Sequence, residues 1–145
     1  MPGFLDRLRG KKDEEPVDMN ARSPETGLKW KDIALLGQMI KQGADLTKPR
    51  HALYYLYFGS QEAADTAAGD GREAGYSCEV REPLPAYPDQ WSLVCERRDA
   101  MLDIPGVRRA DDLFQGIADR FEGEFDGWGP PSRDGRQTFG WSNRR

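Results

Sequence analysis

Three groups of side chains in this sequence could do chemistry. The stretch FEGEFDGWGPP, Phe121 to Pro131, carries Glu122, Glu124 and Asp126 interleaved with aromatics and glycines. Carboxylates held close together can divide the work of general acid and general base. The chain has a single histidine, His51, next to Arg50, and two cysteines, Cys78 and Cys95. A nucleophilic site would have to bring His51 to a serine or cysteine, and none is marked by its local sequence as that partner. One histidine and two cysteines without a CxxC spacing do not make a zinc site, so neither a metal nor a cofactor is expected. The GDG of Gly69 to Gly71 lies inside a helical pattern, not between a strand and a helix, and so does not read as a phosphate-cradling loop. Which chemistry remains depends on the elements that position these residues.

Those elements follow from periodicity. Residues 1–27 mix charge with Pro16, Pro24 and Gly27 and read as a flexible arm. Its start, MPGFLDRLRGKK, sets Phe4, Leu5 and Leu8 on one side of a short helix, either a surface anchor or a frayed terminus. Trp30, Ile33, Leu36, Gly37 and Ile40 fall at helical spacing and predict an amphipathic helix from Trp30 to Lys41. His51 to Phe58 is apolar on both alternating sets, as a strand in the middle of a sheet is. Ser60 caps a helix from Gln61 to Glu73 whose inner side is Ala64, Ala67, Ala68 and Gly71. Tyr76 to Glu82 and Trp91 to Arg97 alternate as strands, joined by the proline-rich loop PLPAYPDQ.

Closing that hairpin symmetrically sets Val80 opposite Leu93 and Cys78 opposite Cys95, with both sulfurs on one face. They are either two buried thiols or a pair able to form a disulfide. Pro105 opens a helix through Val107, Ala110, Phe114, Ile117 and Phe121, Gly123 ends it, and Glu124 to Trp128 is the last strand. Strand, helix, strand, strand, helix, strand is the order of a ferredoxin-like α+β sandwich. The expected sheet is antiparallel, order 4-1-3-2, with both crossover helices on one face and the Trp30 to Lys41 helix as an N-terminal addition. The expected divisions are an arm over 1–27, a domain over 28–129 and a flexible basic tail over 130–145.

Composition narrows the function classes. The longest apolar run, Ala52 to Phe58, has seven residues, far short of the roughly 20 that cross a bilayer. The net charge of −4 is unevenly laid out: residues 51–129 carry seven Lys/Arg against sixteen Asp/Glu, or −9, while 1–50 carry +2 and 130–145 carry +3. A negative body repels a phosphate backbone and favours a basic protein surface. Sheet aromatics such as Tyr55, Tyr57 and Trp91 could stack bases, yet no glycine-aromatic RNA-binding signature accompanies them. Few cysteines and no secretory signal place the expected location in the cytoplasm.

In a regular last strand, Glu124, Asp126 and Trp128 point to one face and Phe125 and Gly127 to the other. The expectation is therefore a closing edge strand with Phe125 in the core and a solvated acidic face, not a catalytic dyad. Glu124, Asp126 and Trp128, with Tyr55 and Tyr57 of the central strand, form the candidate partner-binding set, Trp128 as its aromatic anchor. No catalytic residue is expected.

KPRHALYYLYF (Lys48 to Phe58), QEAA, AGYSCEVRE (Ala74 to Glu82), WSLVCER (Trp91 to Arg97) and above all GEFDGW (Gly123 to Trp128) resemble the RraB family, ribonuclease E inhibitors named as regulators of ribonuclease E activity B. The similarity spans residues 45–129. It implies a ferredoxin-like domain that binds a ribonuclease E or G type endoribonuclease and reduces RNA cleavage without being a nuclease. An immunity-type protein or another adaptor with a different basic partner would share the same fold and charge.

Overall fold

The structure, a computed structural model, describes residues 18–131. The segment of Phe4, Leu5 and Leu8, and the basic stretch from residue 132 onward, lie outside the described residues. Within them the order is α1 (Trp30–Lys41), β1 (Arg50–Phe58), α2 (Gln61–Glu73), β2 (Ser77–Arg81), β3 (Trp91–Ala100), α3 (Ile104–Arg120) and β4 (Glu124–Gly129). The strands form one antiparallel sheet in the order β2-β3-β1-β4, which is the expected 4-1-3-2 read from the other edge.

Local signals start and stop these elements. The Ser60 hydroxyl accepts from the Ala63 N–H at the head of α2. The Asp103 carboxylate does the same for Gly106 at the head of α3, where Pro105 needs no N–H partner. The hairpin closes in the expected register, Val80 opposite Leu93 and Cys78 opposite Cys95. β3 runs three residues past its expected end, to Ala100.

One face of the sheet packs under α2 and α3. Ala52, Tyr54, Leu56 and Phe58 of β1 meet Ala64, Ala67 and Ala68 of α2 and Val107, Phe114 and Ile117 of α3 in a single apolar cluster. Its centre is aromatic: Tyr54 stacks on Phe114 at 4.6 Å between ring centres, and Tyr76 stands edge-on to both. The opposite face carries the other β1 set, His51, Leu53, Tyr55 and Tyr57, beside Ser92, Val94 and Glu96 of β3.

Residues ahead of α1 are folded too. Ser23 N–H bonds the Leu28 carbonyl and Trp30 N–H the Ala21 carbonyl, making a tight turn held to α3 by Arg22, which lies 3.5 Å from Asp112. The arm expected up to residue 27 therefore includes a packed stretch from residue 18. The buried side of α1 is Asp32, Leu36 and Met39, a four-then-three step. Trp30 and Ile40, expected on that side, are exposed, because each lies about one or two residues around the helix from the stripe that docks. Through Asp32 that stripe meets Trp128 of β4 and Asp111 of α3.

Candidate functional site

The last strand does not keep the regular alternation. Tyr55 pairs with Gly127 and Leu56 with Phe125, so Asp126 is an extra residue: a β-bulge. Gly127 supports it with φ of +122°, a conformation that favours glycine. The extra residue shifts the register by one and reverses every side chain beyond it. Phe125 and Trp128, three apart and expected on opposite faces, therefore both face α3 and are both buried.

Trp128 is thus not the exposed anchor that alternation predicts. It pairs across the sheet with Tyr54, and its Nε1–H donates to Asp32 Oδ1 at 3.0 Å. Around that bond lies a buried charged cluster. Asp32 and Asp111 are 2% and 1% exposed, Arg22 approaches Asp111 Oδ2 at 3.8 Å, and Lys29 lies over the Phe125 ring. Burial, then hydrogen bonding and repulsion from Asp111, push the Asp32 carboxyl up to about 7, outweighing Lys29 and the indole N–H. Sequence reading missed Asp32 altogether, since an aspartate in the first turn of a helix reads as a dipole partner in solvent. The cluster joins α1, α3 and β4.

Glu124 and Asp126 remain exposed. Glu124 pairs with Tyr57, and the Tyr57 phenol is raised by burial first, then by Asp126 and Glu124, so the structure gathers these three. Asp126 is aimed by its backbone, whose carbonyl accepts from Lys31 Nζ at 3.2 Å. A cleft of about 370 Å³ continues from this cluster, lined by Tyr57, Phe58, Asp89, Gln90, Glu122 and Glu124. Asp89 and Glu122 were not among the expected partner-binding residues. The sheet order contained the signal: β3 begins at Trp91 opposite Phe58 and β4 begins at Glu124 opposite Tyr57, so the segments leading into both strands meet at the C-terminal end of β1. Glu122 holds φ of +56° there, and Gly123 leaves no room for a side chain against the Phe58 ring.

Tyr55 lines a smaller pocket of about 210 Å³ with Lys31, Asp32, Leu35, Asp126 and Trp128, under the first turns of α1. Its hydroxyl is buried without a hydrogen-bond partner among the described residues, and burial pushes its phenol up to about 12. His51 is held by Glu96 across the β1–β3 pair, the carboxylate itself 7% exposed. Cys78 and Cys95 lie on the opposite, helix-covered face, which leaves the imidazole no thiol to activate.

The arrangement gathers exposed carboxylates at one end of the sheet. Among the described residues no group of three or more His, Cys, Asp or Glu is placed to hold a metal ion. No helix among them is long and apolar enough to cross a membrane. Curated proteins provide no match to the chain. A protein-family model described as regulator of ribonuclease activity B, RraB, matches residues 31–129, from the second residue of α1 to the end of β4. With that match covering well over half of its length, the chain belongs to the RraB family, and at the level of that family it is a regulator of ribonuclease activity acting through a protein partner.

Proposed function

We propose that the chain is a non-catalytic regulator that docks on a ribonuclease E or G type endoribonuclease and lowers its cleavage of RNA. The observation that carries this reading is the exposed acidic end of the sheet, Glu124 and Asp126 around the half-buried Tyr57, with Asp89 and Glu122 in the adjoining cleft. A nuclease holds RNA with Lys and Arg, and a preorganised set of carboxylates competes for the same side chains. Tyr57 supplies apolar area next to the charge, the combination found at interface hot spots. Trp128 and Tyr55 support this surface from beneath and beside it. The protein acts in the cytoplasm, whose thiol reductants set the resting state of its two cysteines.

The test is titration calorimetry against a purified endoribonuclease of this type, with RNA cleavage measured in parallel. The double variant Glu124→Lys, Asp126→Lys should weaken binding at least tenfold, about 1.4 kcal/mol, and relieve inhibition to match. Binding of the unaltered chain should weaken as salt rises. A variant that binds and inhibits like the unaltered chain overturns the assignment of this surface, and turnover of RNA by the chain alone overturns the regulatory reading.

A further inference from the structure

Cys78 and Cys95 take no part in the surface just described, yet they face each other in the core. They sit directly opposite each other on β2 and β3, and their sulfurs are 2.7 Å apart. Directly opposed residues of an antiparallel pair have alpha carbons about 4.5–5.5 Å apart, inside the roughly 4.4–6.8 Å that a disulfide spans. The covering helix is shaped to the pair: a side-chain carbon at Gly71 of α2 would lie 2.6 Å from Cys78 Sγ and 3.2 Å from Cys95 Sγ. Only glycine leaves both sulfurs their room.

The two thiols are not equivalent. Cys78 lies on the edge strand β2 and is 8% exposed, whereas Cys95 is fully buried. The Cys78 thiol is held below its ordinary range by the hydrogen bond from Cys95, with the Arg72 guanidinium adding to it, while burial raises Cys95. Arg72 is fixed beside Cys78 by its own bond to the Cys78 carbonyl, 2.9 Å long. Cys78, on the sheet edge beside Arg72, is the sulfur an oxidant reaches first, and the fully buried Cys95 is placed to resolve it.

We propose that Cys78 and Cys95 are a redox pair that a peroxide-class oxidant closes into a disulfide stapling β2 to β3, and that thiol reductants reopen. The Cys78 thiolate attacks one oxygen of hydrogen peroxide, the O–O bond breaks, and Cys78 becomes a sulfenic acid as hydroxide leaves. The Cys95 sulfur then attacks the Cys78 sulfur; its proton leaves with the hydroxyl as water. In sum, two thiols and one peroxide give one disulfide and two waters. The small oxidant suits the narrow access at Cys78.

The experiment uses the full, reduced chain. It is exposed to graded hydrogen peroxide, quenched with catalase, unfolded in the presence of N-ethylmaleimide and weighed intact. The expected result is loss of both alkylation sites together, a mass lower by two hydrogens, a monomer on a non-reducing gel, and full recovery with dithiothreitol. In Cys95→Ser, Cys78 should stop at a sulfenic acid that dimedone captures. Three results would overturn the proposal: both thiols still alkylated at a dose that oxidises free cysteine, sulfinic acid accumulating on Cys78 of the unaltered chain without a cross-link, or a cross-link between chains.

Discussion

Replacing Asp32 by asparagine should change how stability depends on pH. Asp32 Oδ2 has no hydrogen-bond partner among the described residues, and Asp111 Oδ2 has only the approach of Arg22 at 3.8 Å; a proton on Asp32 supplies the missing hydrogen bond to Asp111. The fold thus holds a proton that the unfolded chain releases near pH 3.8, and keeps it up to about pH 7. Because the folded state binds this proton more tightly, the stabilisation is complete below pH 3.8 and drains away as pH rises through about 7. The displacement from 3.8 to about 7 sets a ceiling of about 4 kcal/mol on that loss.

The Asp32→Asn side chain keeps the geometry, its carbonyl accepting from Trp128 and its amide donating to Asp111, and has nothing to titrate. Urea unfolding followed by tryptophan fluorescence at pH 4.5, 6, 7 and 8 should show Asp32→Asn gaining on the unaltered chain, by about 2–4 kcal/mol at the top of the range. Parallel stability curves for the two proteins would refute a proton held on Asp32.

Two further substitutions test the bulge. Gly127→Ala places a side chain at φ of +122° and within 3.3 Å of Lys31 Nζ, so the fold should lose about 1–3 kcal/mol in urea melts, and an unchanged midpoint would remove the need for glycine there. Trp128→Ala should cost about 3–5 kcal/mol of stability by emptying a packed site and stranding Asp32; a fully stable variant that only bound its partner more weakly would restore Trp128 to the interface.

Much of the architecture was legible in the residues. Both alternating sets of β1 are apolar, and that alone made it an interior strand; with the element order it specified the sheet order. Ser60 and Pro105 marked helix starts, and the prolines of the Glu82 to Trp91 connection confined pairing to a register that put Cys78 opposite Cys95. These are signals within one element or between neighbours, where local sterics and period decide the outcome. The acidic character of the Glu124 to Trp128 segment was equally plain.

Tertiary structure alone decided where its side chains went. Alternation assumes that each residue pairs in turn, but β4 must satisfy β1 on one side and α1 on the other, and burying both Phe125 and Trp128 required an extra residue at Asp126. The glycine at 127 was a weak hint of that bulge. Asp32 gave no hint, because the burial of a carboxylate depends on Asp111 and Trp128, which are distant in the chain and meet only once α1 docks. The burial of Asp32 and its hold on a proton arise from such long-range meetings, so they belong to the folded state and not to any window of sequence.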